Sequence, residues 1–177
     1  MSRRLAHGID RDGTVHGLPA GHAVVALGAN LGDRRATITA AVQDLARMPL
    51  TTEVVAAEPI ESVAMKPDGP DAGAPAYLNS VALLTTRLAP SVLLGFLHAI
   101  EDRHGRERAE RWGDRTLDLD LIAFGDARSS GPGLILPHPR AAERAFVLVP
   151  WLAVDPDAVL PGAGRVDELL ARLEGRS

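Results

Sequence analysis

The sequence predicts an α+β fold, a single ferredoxin-like βαββαβ sandwich in which an antiparallel sheet carries helices on one face, with C-terminal additions. Three observations favour this fold. Four short apolar runs have the composition and periodicity of strands, two segments between them carry apolar residues at helical spacing, and short links join the elements. Short links and right-handed crossovers are compatible with one sheet built in this chain order.

The first half of the chain accounts for the first three elements. Residues 22–27 form a short apolar run, typical of a buried strand, and residues 28–33 follow as a turn. Asp33 is a residue type that caps helices, and the helical pattern behind it stops before Pro49. Residues 51–57, rich in Val and Thr, are predicted to form the second strand.

Residues 59–76 interrupt this regular pattern. Pro and Gly are frequent in this segment and its periodicity is weak, so we predict a long loop. A loop of this length in a compact domain is often a lid or a binding loop, and a disordered insertion is the alternative.

The second half of the chain supplies the remaining elements. Pro90 suits the first turn of a helix, and Gly105 is the residue type that ends one. One strand precedes this helix, another follows it, and two further helices form the C-terminal additions. The predicted ranges are 78–86, 90–105, 117–124, 141–152 and 166–173.

Composition is that of an ordinary soluble protein. Hydrophobic residues make up 46% and charged residues 24%, and the net charge of −4 argues against a nucleic-acid-binding surface over the whole molecule. The chain has no cysteine, which excludes disulfides and thiolate metal sites.

Targeting features are absent from the sequence pattern. No apolar run approaches the roughly 20 residues that cross a membrane, and residues 1–20 lack the apolar core of a signal peptide. We expect residues 1–20 to be a flexible tail and residues 21–177 to be one domain. The protein is expected to be a cytoplasmic monomer.

The most informative stretch alternates leucine with aspartate. Leu117, Leu119 and Leu121 occupy one face of the predicted strand, whereas Asp118 and Asp120 occupy the other. The two acidic Cα atoms are about 6–7 Å apart, so their like charges call for a positive group nearby. Divalent cations and neighbouring arginines are both candidates. The alternation alone fits a solvated face of an edge strand equally well.

Arginines crowd into the segment just before this strand. Five of them lie within thirteen positions, namely Arg103, Arg106, Arg108, Arg111 and Arg115. Guanidinium groups suit the capture of phosphate oxygens, although a paired surface network with nearby acidic residues is the alternative. Because the segment leads directly into the two aspartates, the combination favours a phosphoryl-transfer site. No GxxxxGKS or GxxxxGKT loop is present, so a nucleotide would be held in another way.

Three of the six aromatic residues are predicted to lie where elements meet loops. They are Tyr77, Trp112 and Phe146. Such rings can stack on a planar heterocycle, and capping of the core is the alternative for each of them. Asn79 shares a strand face with Tyr77, and its amide can donate and accept hydrogen bonds. His138, between two prolines, can donate to a phosphate or be an uninvolved surface residue.

Several of these stretches resemble, in the same order, the hydroxymethyl-dihydropterin pyrophosphokinase family of folate biosynthesis. The similar segments are residues 26–33, 77–79, 105–124, 137–138 and 144–146. The RWG-x-RTLDLDL element at residues 111–121 is the most specific, and the resemblance covers residues 24–157, about three quarters of the chain. The sequence departs from the family at several places: Ala29 stands where the family usually has Ser, and residues 57–62 replace an aromatic-Thr-Pro-x-Gly segment. His98 stands where some members have Gln, and the loop between Gly105 and Trp112 is one residue shorter than in some relatives.

The resemblance implies an enzyme, an ATP-dependent pyrophosphokinase. It would transfer diphosphate from ATP to the hydroxymethyl group of 6-hydroxymethyl-7,8-dihydropterin and release AMP. Asp118 and Asp120 would hold two Mg²⁺ ions, and Arg106 and Arg115 would steady the charge on the phosphates. No residue resembles a covalent nucleophile, so we expect direct in-line attack.

The resemblance also assigns residues to the two substrates. Tyr77 and Phe146 would sandwich the pterin, and Asn79 would bind its edge. The residues around ATP would be Glu101, Arg108, Trp112, His138 and Arg144.

Two other functions are compatible with parts of the pattern. A ferredoxin-like RNA-binding module would display aromatic residues on central strands and a basic face, whereas here Asp118 and Asp120 lie on a strand face and the net charge is negative. A nucleotidyltransferase with an Asp-x-Asp metal site would release diphosphate instead of AMP. We expect ATP and the pterin as partners, and neither nucleic acid nor a membrane.

Overall fold

The computed structural model describes residues 21–62, 64–66, 69–71, 76–105 and 116–175, so the predicted tail at residues 1–20 lies outside the described residues. Within these ranges the chain forms eleven strands, four α-helices and one 3₁₀ turn. In chain order they are β1 (Gly21–Ala29), α1 (Arg34–Ala46), β2 (Thr51–Ala56), β3 (Ile60–Ser62), β4 (Ala64–Lys66), β5 (Gly69–Asp71), β6 (Tyr77–Thr86), α2 (Pro90–Arg103), β7 (Asp118–Phe124), β8 (Ser129–Gly131), β9 (Leu134–Leu136), the 3₁₀ turn (Ala141–Glu143), α3 (Ala145–Val154), β10 (Val159–Leu160), β11 (Gly164–Arg165) and α4 (Val166–Glu174).

The main sheet is antiparallel at every pairing. Its order is β2-β6-β1-β7, and β3 pairs with the first residues of β6. The other described strands form three two-stranded hairpins, β4 with β5, β8 with β9, and β10 with β11. The predicted α+β fold with an antiparallel sheet is therefore confirmed. The strand β7 ends the described order, so its outer edge has no strand beside it there.

Helices cover both faces of the sheet, and each face has its own apolar core. α1 and α2 pack on the face to which Val25 and Leu27 of β1 point. α3 and α4 pack on the opposite face, against Val24 of β1 and Val81 of β6. A strand buried on both faces reads as a continuous apolar run, which explains the composition of β1. No helix in the described ranges combines the length and apolarity that crossing a membrane requires.

The leucines and aspartates at residues 117–121 alternate as predicted. Leu117, Leu119 and Leu121 are at most 4% exposed and belong to the core beneath α1 and α2. Asp118 and Asp120 are partly exposed. Burial of each leucine side chain stabilises the folded state by roughly 2 kcal/mol. A one-residue slip would move all three to the other face, so burial fixes the register that presents the carboxylates.

The helix ends have the predicted chemistry. Asp33 Oδ1 accepts a hydrogen bond of 3.0 Å from the backbone N–H of Ala36 and so caps α1. Pro90 begins α2, where a missing N–H costs nothing. Gly105 follows α2 with a φ of +79°, a conformation in which glycine is favoured.

Two predictions for the first half of the chain were wrong. β1 continues through Gly28 and Ala29, which were predicted to lie in a turn, because both residues pair with β6. The segment at residues 59–76 is not a structureless loop where it is described, since it contains β3, β4 and β5. Arg34 of α1 helps to hold it: its guanidinium donates to Glu61 at 3.0 Å and to the carbonyl of Ala76 at 2.5 Å.

The helix predicted near residues 141–152 is divided. The 3₁₀ turn ends before Arg144, whose backbone is extended, and α3 then begins at Ala145. Pro150 lies inside α3, which continues to Val154. The break places Arg144 at the N-terminal end of α3, at the edge of the second core.

Candidate active site

The two carboxylates of β7 lie on the sheet face that α3 and α4 partly cover. Asp118 lies opposite Gly28 of β1, and Asp120 lies opposite Ala26. Directly opposed residues of antiparallel strands point to the same face. This is also the face of Ile122 in the second core, so both carboxylates lie just beyond the packed part of that core.

Gly28 lies between Asp118 and Asn79 in one row across three strands. It pairs with Asn79 of β6 on one side and with Asp118 of β7 on the other. A Cβ atom at Gly28 would lie 3.5 Å from Asn79 Oδ1 and 3.9 Å from Tyr77 Cδ1. The side chains of Tyr77 and Asn79 therefore flank an open strip of backbone. The row puts Asn79 and Asp118 about 10 Å apart, two strand spacings.

Ser62 of β3 orients the amide of Asn79. Asn79 is 5% exposed, and its Nδ2 donates a hydrogen bond of 2.7 Å to Ser62 Oγ. Its Oδ1 then faces the strip above Gly28. The O and N positions of an amide are assigned from such a network. One N–H of the Asn79 amide is engaged by Ser62, and Oδ1 is available as an acceptor for a ligand above Gly28.

Arg144 forms an ion pair with Asp120. Its Nη1 donates a hydrogen bond of 2.9 Å to Asp120 Oδ2, and both side chains are partly exposed. The same guanidinium lies 5.7 Å from the ring centroid of Phe146, within the range of a cation–π contact. The N-terminal end of α3 thus brings a cation and an aromatic ring beside the carboxylates.

His138 faces the same carboxylate from the loop before the 3₁₀ turn. Its Nδ1 accepts a hydrogen bond of 3.2 Å from the backbone N–H of Arg140, and its Nε2 lies 4.0 Å from Asp120 Oδ2. Burial lowers the pKa of His138, and the charges of Arg144 and Arg140 act in the same direction against an opposing effect of the two aspartates. The accepting Nδ1 places the proton of the neutral ring on Nε2.

The outer edge of β7 is anchored by side-chain and backbone hydrogen bonds. Glu101 of α2 is 1% exposed, and its Oε1 accepts a hydrogen bond of 2.8 Å from the backbone N–H of Leu119. The backbone N–H of His138 donates to the carbonyl of Ile122 at 2.8 Å. These contacts satisfy backbone groups of an edge strand that would otherwise lack partners.

The structure brings most of the described candidate residues together. Asp118, Asp120, His138 and Arg144 form one cluster, and Tyr77 and Asn79 lie across Gly28 from it. Phe146 lies beside Arg144, whereas Glu101 lies behind β7 and not among the exposed groups. Four candidates, Arg106, Arg108, Trp112 and Arg115, lie outside the described residues.

Sequence reasoning missed Gly28 and Ser62. Gly28 was assigned to a turn, although the apolar run before it leads without a break into Ala29. Ser62 lies in the segment that departs from the related family, and a local pattern gives no sign of its pairing with a strand 17 residues further on. Its position depends on the pairing of β3 with β6.

The carboxylates of Asp118 and Asp120 could hold a divalent cation that binds together with the phosphates of a substrate. Mg²⁺ prefers oxygen ligands and is usually held by one or two carboxylates plus phosphates of the substrate. Asp118 and Asp120 supply two carboxylates, and within the described ranges no group of three or more His, Asp or Glu residues could hold a metal by itself. Two carboxylates are a donor set that can hold a metal–polyphosphate complex.

Residues 24–156 match the family model described as 7,8-dihydro-6-hydroxymethylpterin-pyrophosphokinase, HPPK. Among similar proteins, the 2-amino-4-hydroxy-6-hydroxymethyldihydropteridine pyrophosphokinase of Pseudomonas aeruginosa is 46% identical over 147 residues, which cover 83% of this chain and 88% of that protein. The protein of the same description from Synechocystis is 40% identical over 143 residues, which cover 81% of this chain and 71% of that protein.

A solved structure supports the fold. The chain superposes on the crystal structure of wild-type Plasmodium falciparum HPPK-DHPS with pteroate with a TM-score of 0.67 and 11% sequence identity. The match covers 89% of this chain and 45% of that one, so this chain spans less than half of that protein's length. At this identity the likeness concerns the fold alone.

Proposed function

The chain belongs to the 7,8-dihydro-6-hydroxymethylpterin-pyrophosphokinase family, and from this membership we propose a role for each group of its site. The protein is an ATP-dependent pyrophosphokinase, which transfers diphosphate to hydroxymethyl-dihydropterin in folate biosynthesis. The observation that carries the proposed roles is the row Asn79–Gly28–Asp118, because it places a polar amide and an acidic pair on either side of open backbone on one face.

The acidic side of the row would bind the phosphates. Asp118 and Asp120 would hold two Mg²⁺ ions, which would neutralise charge on the β- and γ-phosphates of ATP. Their partial exposure supports this role. The number of ions follows from the family resemblance.

Arg144 and His138 would change partners when ATP binds. Arg144 pairs with Asp120. A cation on Asp120 would compete for that carboxylate, and Arg144 would then donate to a phosphate oxygen, for which its planar fork is suited. His138, neutral and with its proton on Nε2, would donate to the same polyphosphate without adding charge.

The other side of the row would bind the pterin. Tyr77 and Phe146 would pack on the two faces of the ring, and Asn79 Oδ1 would accept from an N–H on its edge. This arrangement would hold the hydroxymethyl oxygen over the strip at Gly28, in line with the β-phosphorus. Positioning and neutralisation of charge would supply most of the rate, with no covalent intermediate on the protein.

The remaining candidates complete the site by resemblance. Arg106 and Arg115 would steady the charge on the transferred phosphates, and Arg108 and Trp112 would contact ATP. We also propose that α1, α2 and the strands β2, β6, β1 and β7 form a ferredoxin-like sandwich within one domain, residues 21–177. We further propose that the protein is a cytoplasmic monomer with small-molecule partners and without nucleic acid.

Nucleotide analysis tests this function. The protein is incubated with ATP, Mg²⁺ and 6-hydroxymethyl-7,8-dihydropterin, and products are separated by ion-exchange chromatography. We expect AMP and the pterin diphosphate in equal amounts, with no AMP when the pterin is omitted. ADP as the nucleotide product, or release of free diphosphate, would contradict the proposal, and the second result would favour a nucleotidyltransferase.

A further inference from the structure

We propose that Glu101 is a positioning residue that fixes the two carboxylates of β7 through the backbone of Leu119. Leu119 is the residue between Asp118 and Asp120, and its N–H donates to Glu101 Oε1 at 2.8 Å. The inference rests on the proposed function, since it concerns the readiness of these carboxylates to hold a cation.

Glu101 contacts β7 from the side of the sheet that α2 covers. It lies near the end of α2, on the sheet face opposite the carboxylates, and is 1% exposed. A side chain with so little surface has almost nothing to offer a ligand. Contact with ATP, which the family resemblance implies for Glu101, would need α2 or β7 to move. The geometry instead gives Glu101 an effect on the site through Leu119.

The position of Leu119 explains why such an anchor matters. β7 has β1 on one side only within the described sheet, and the N–H of Leu119 points away from β1 towards α2. A buried N–H without a partner costs about 1–3 kcal/mol, and a carboxylate is a stronger acceptor than a neutral group. The bond at Leu119 and the bond from His138 to Ile122 hold the strand on either side of Asp120.

Fixing the backbone between two ligands fixes their spacing. The carboxylates project from alternate residues of one strand, so twisting or bulging at Leu119 would change their separation and direction. Partners that orient metal ligands from outside the coordination sphere typically change metal affinity roughly 10- to 100-fold when removed. Glu101 is placed to have this effect through its hydrogen bond to the backbone of Leu119.

Three variants separate this role from others. Glu101→Gln keeps an acceptor oxygen of similar size, and Glu101→Met keeps the volume without one. Leu93→Ala, on the same helix and fully buried, loosens α2 without touching Leu119. Each variant is compared with the wild type by amide hydrogen exchange of Leu119, by Mn²⁺ titration with an ATP analogue that has a methylene group between the α- and β-phosphorus, and by binding of metal-free ATP in EDTA.

The proposal predicts a specific pattern. In Glu101→Met the Leu119 amide exchanges faster and Mn²⁺ binds roughly 10- to 100-fold more weakly, while binding of metal-free ATP is unchanged. Glu101→Gln retains slow exchange of the Leu119 amide and Mn²⁺ affinity close to that of the wild type. Leu93→Ala lowers the melting temperature without weakening Mn²⁺ binding. The proposal also requires slow exchange of the Leu119 amide in the wild type. This measurement tests the proposal even if Glu101→Met does not fold.

Other patterns overturn it. Weaker binding of metal-free ATP in Glu101→Met would indicate direct contact with the nucleotide. Equal loss of Mn²⁺ affinity in Leu93→Ala would indicate a general effect of stability, and rapid Leu119 exchange in the wild type would remove the anchor. If the wild type forms no AMP with the pterin, the proposed function fails, whereas the exchange and Mn²⁺ measurements still decide the role of Glu101.

Discussion

Arg144 and Asp120 are joined by a hydrogen bond of 2.9 Å, so a cation already neutralises one of the two carboxylates proposed to hold Mg²⁺. The pair is partly exposed, and such pairs contribute at most about 1 kcal/mol to stability. Its value is therefore expected to lie in preorganisation: Arg144 keeps the Asp120 carboxylate in place until the metal–nucleotide complex takes over that carboxylate.

Replacement of Arg144 should affect catalysis far more than folding. Arg144→Ala is expected to lower kcat/KM about 100-fold, because a cation that stabilises transition-state charge contributes about 3 kcal/mol. Steady-state kinetics and thermal melting measure the two effects. Arg165→Ala is the matched control, since Arg165 pairs with the exposed Asp167 away from the site. Comparable activity of Arg144→Ala and this control would contradict the role.

Asn substitutions should distinguish the two aspartates from other acids. Asp118→Asn and Asp120→Asn are each expected to lower kcat at least 100-fold and to raise the Mg²⁺ concentration at half-maximal rate, because a neutral amide binds a hard cation poorly. Asp126→Asn, on the exposed turn after β7, should behave as the wild type. Full activity in either site variant would end the metal-site proposal.

A side chain at Gly28 should block the pterin without harming the fold. The nearest contacts of a Cβ atom there are 3.5 Å and 3.9 Å, which are ordinary separations, so Gly28→Ala should fold. Gly28→Val should extend further over the strip and raise the KM for the pterin about tenfold or more, a cost of at least 1.4 kcal/mol. Gly95→Ala is the control, since nothing lies within 4 Å of its Cβ position. An unchanged KM in Gly28→Val would place the pterin elsewhere.

Loss of the Ser62 hydroxyl should weaken pterin binding through Asn79. In Ser62→Ala the amide of Asn79 loses a partner at 2.7 Å and can turn over, which should cost about 1 kcal/mol, or roughly fivefold in the KM for the pterin. The KM for ATP should not change. Ser130→Ala, an exposed hydroxyl in the β8–β9 hairpin, serves for comparison. A change in the KM for ATP alone, with the KM for the pterin unchanged, would contradict the role of Ser62 and Asn79 in pterin binding.

His138 should make the metal-free protein less stable in mild acid. Burial lowers its pKa below the ordinary value of 6.5, so as pH falls below 6.5 the unfolded state takes up a proton before the folded state does. The free energy of unfolding should therefore fall until the pH passes the folded pKa, whereas near pH 8 protonation of His138 should contribute nothing to its pH dependence. Urea titrations of the wild type and His138→Gln, each at pH 8 and at a pH below 6.5, measure how much of the loss of stability in acid depends on His138. NMR of the imidazole measures the pKa directly. A folded pKa above 6.5 would contradict the prediction.

Local chemistry was sufficient to predict much of the fold. The cap at Asp33, the start at Pro90 and the burial of Leu119 between two aspartates depend on neighbours within a few residues, so the sequence pattern expresses them directly. The same alternation located the acidic pair. The alternation did not reveal the positive partner of Asp120, because Arg144 comes from an element 24 residues further along the chain.

Features that depend on distant pairing could not be predicted. β3 exists because residues 60–62 meet the start of β6, and Ser62 gains its partner only through that register. The family resemblance implies that Glu101 contacts ATP, whereas in the structure its carboxylate is buried against β7. Periodicity reports which face of an element is apolar, but not which other element covers that face. The roles of Arg106, Arg108, Trp112 and Arg115 stay predictions.

The packing of α4 on α3 has a consequence for the timing of activity during translation. Arg144 reaches Asp120, with Phe146 beside it, only when α3 is packed on the sheet, and Val166 and Leu169 of α4 complete the core that holds α3 there. A nascent chain could form β1, β6 and β7 while residues 166–174 are still inside the ribosome. It would then carry both aspartates without their cation and ring, so the enzyme should become competent only after that helix emerges.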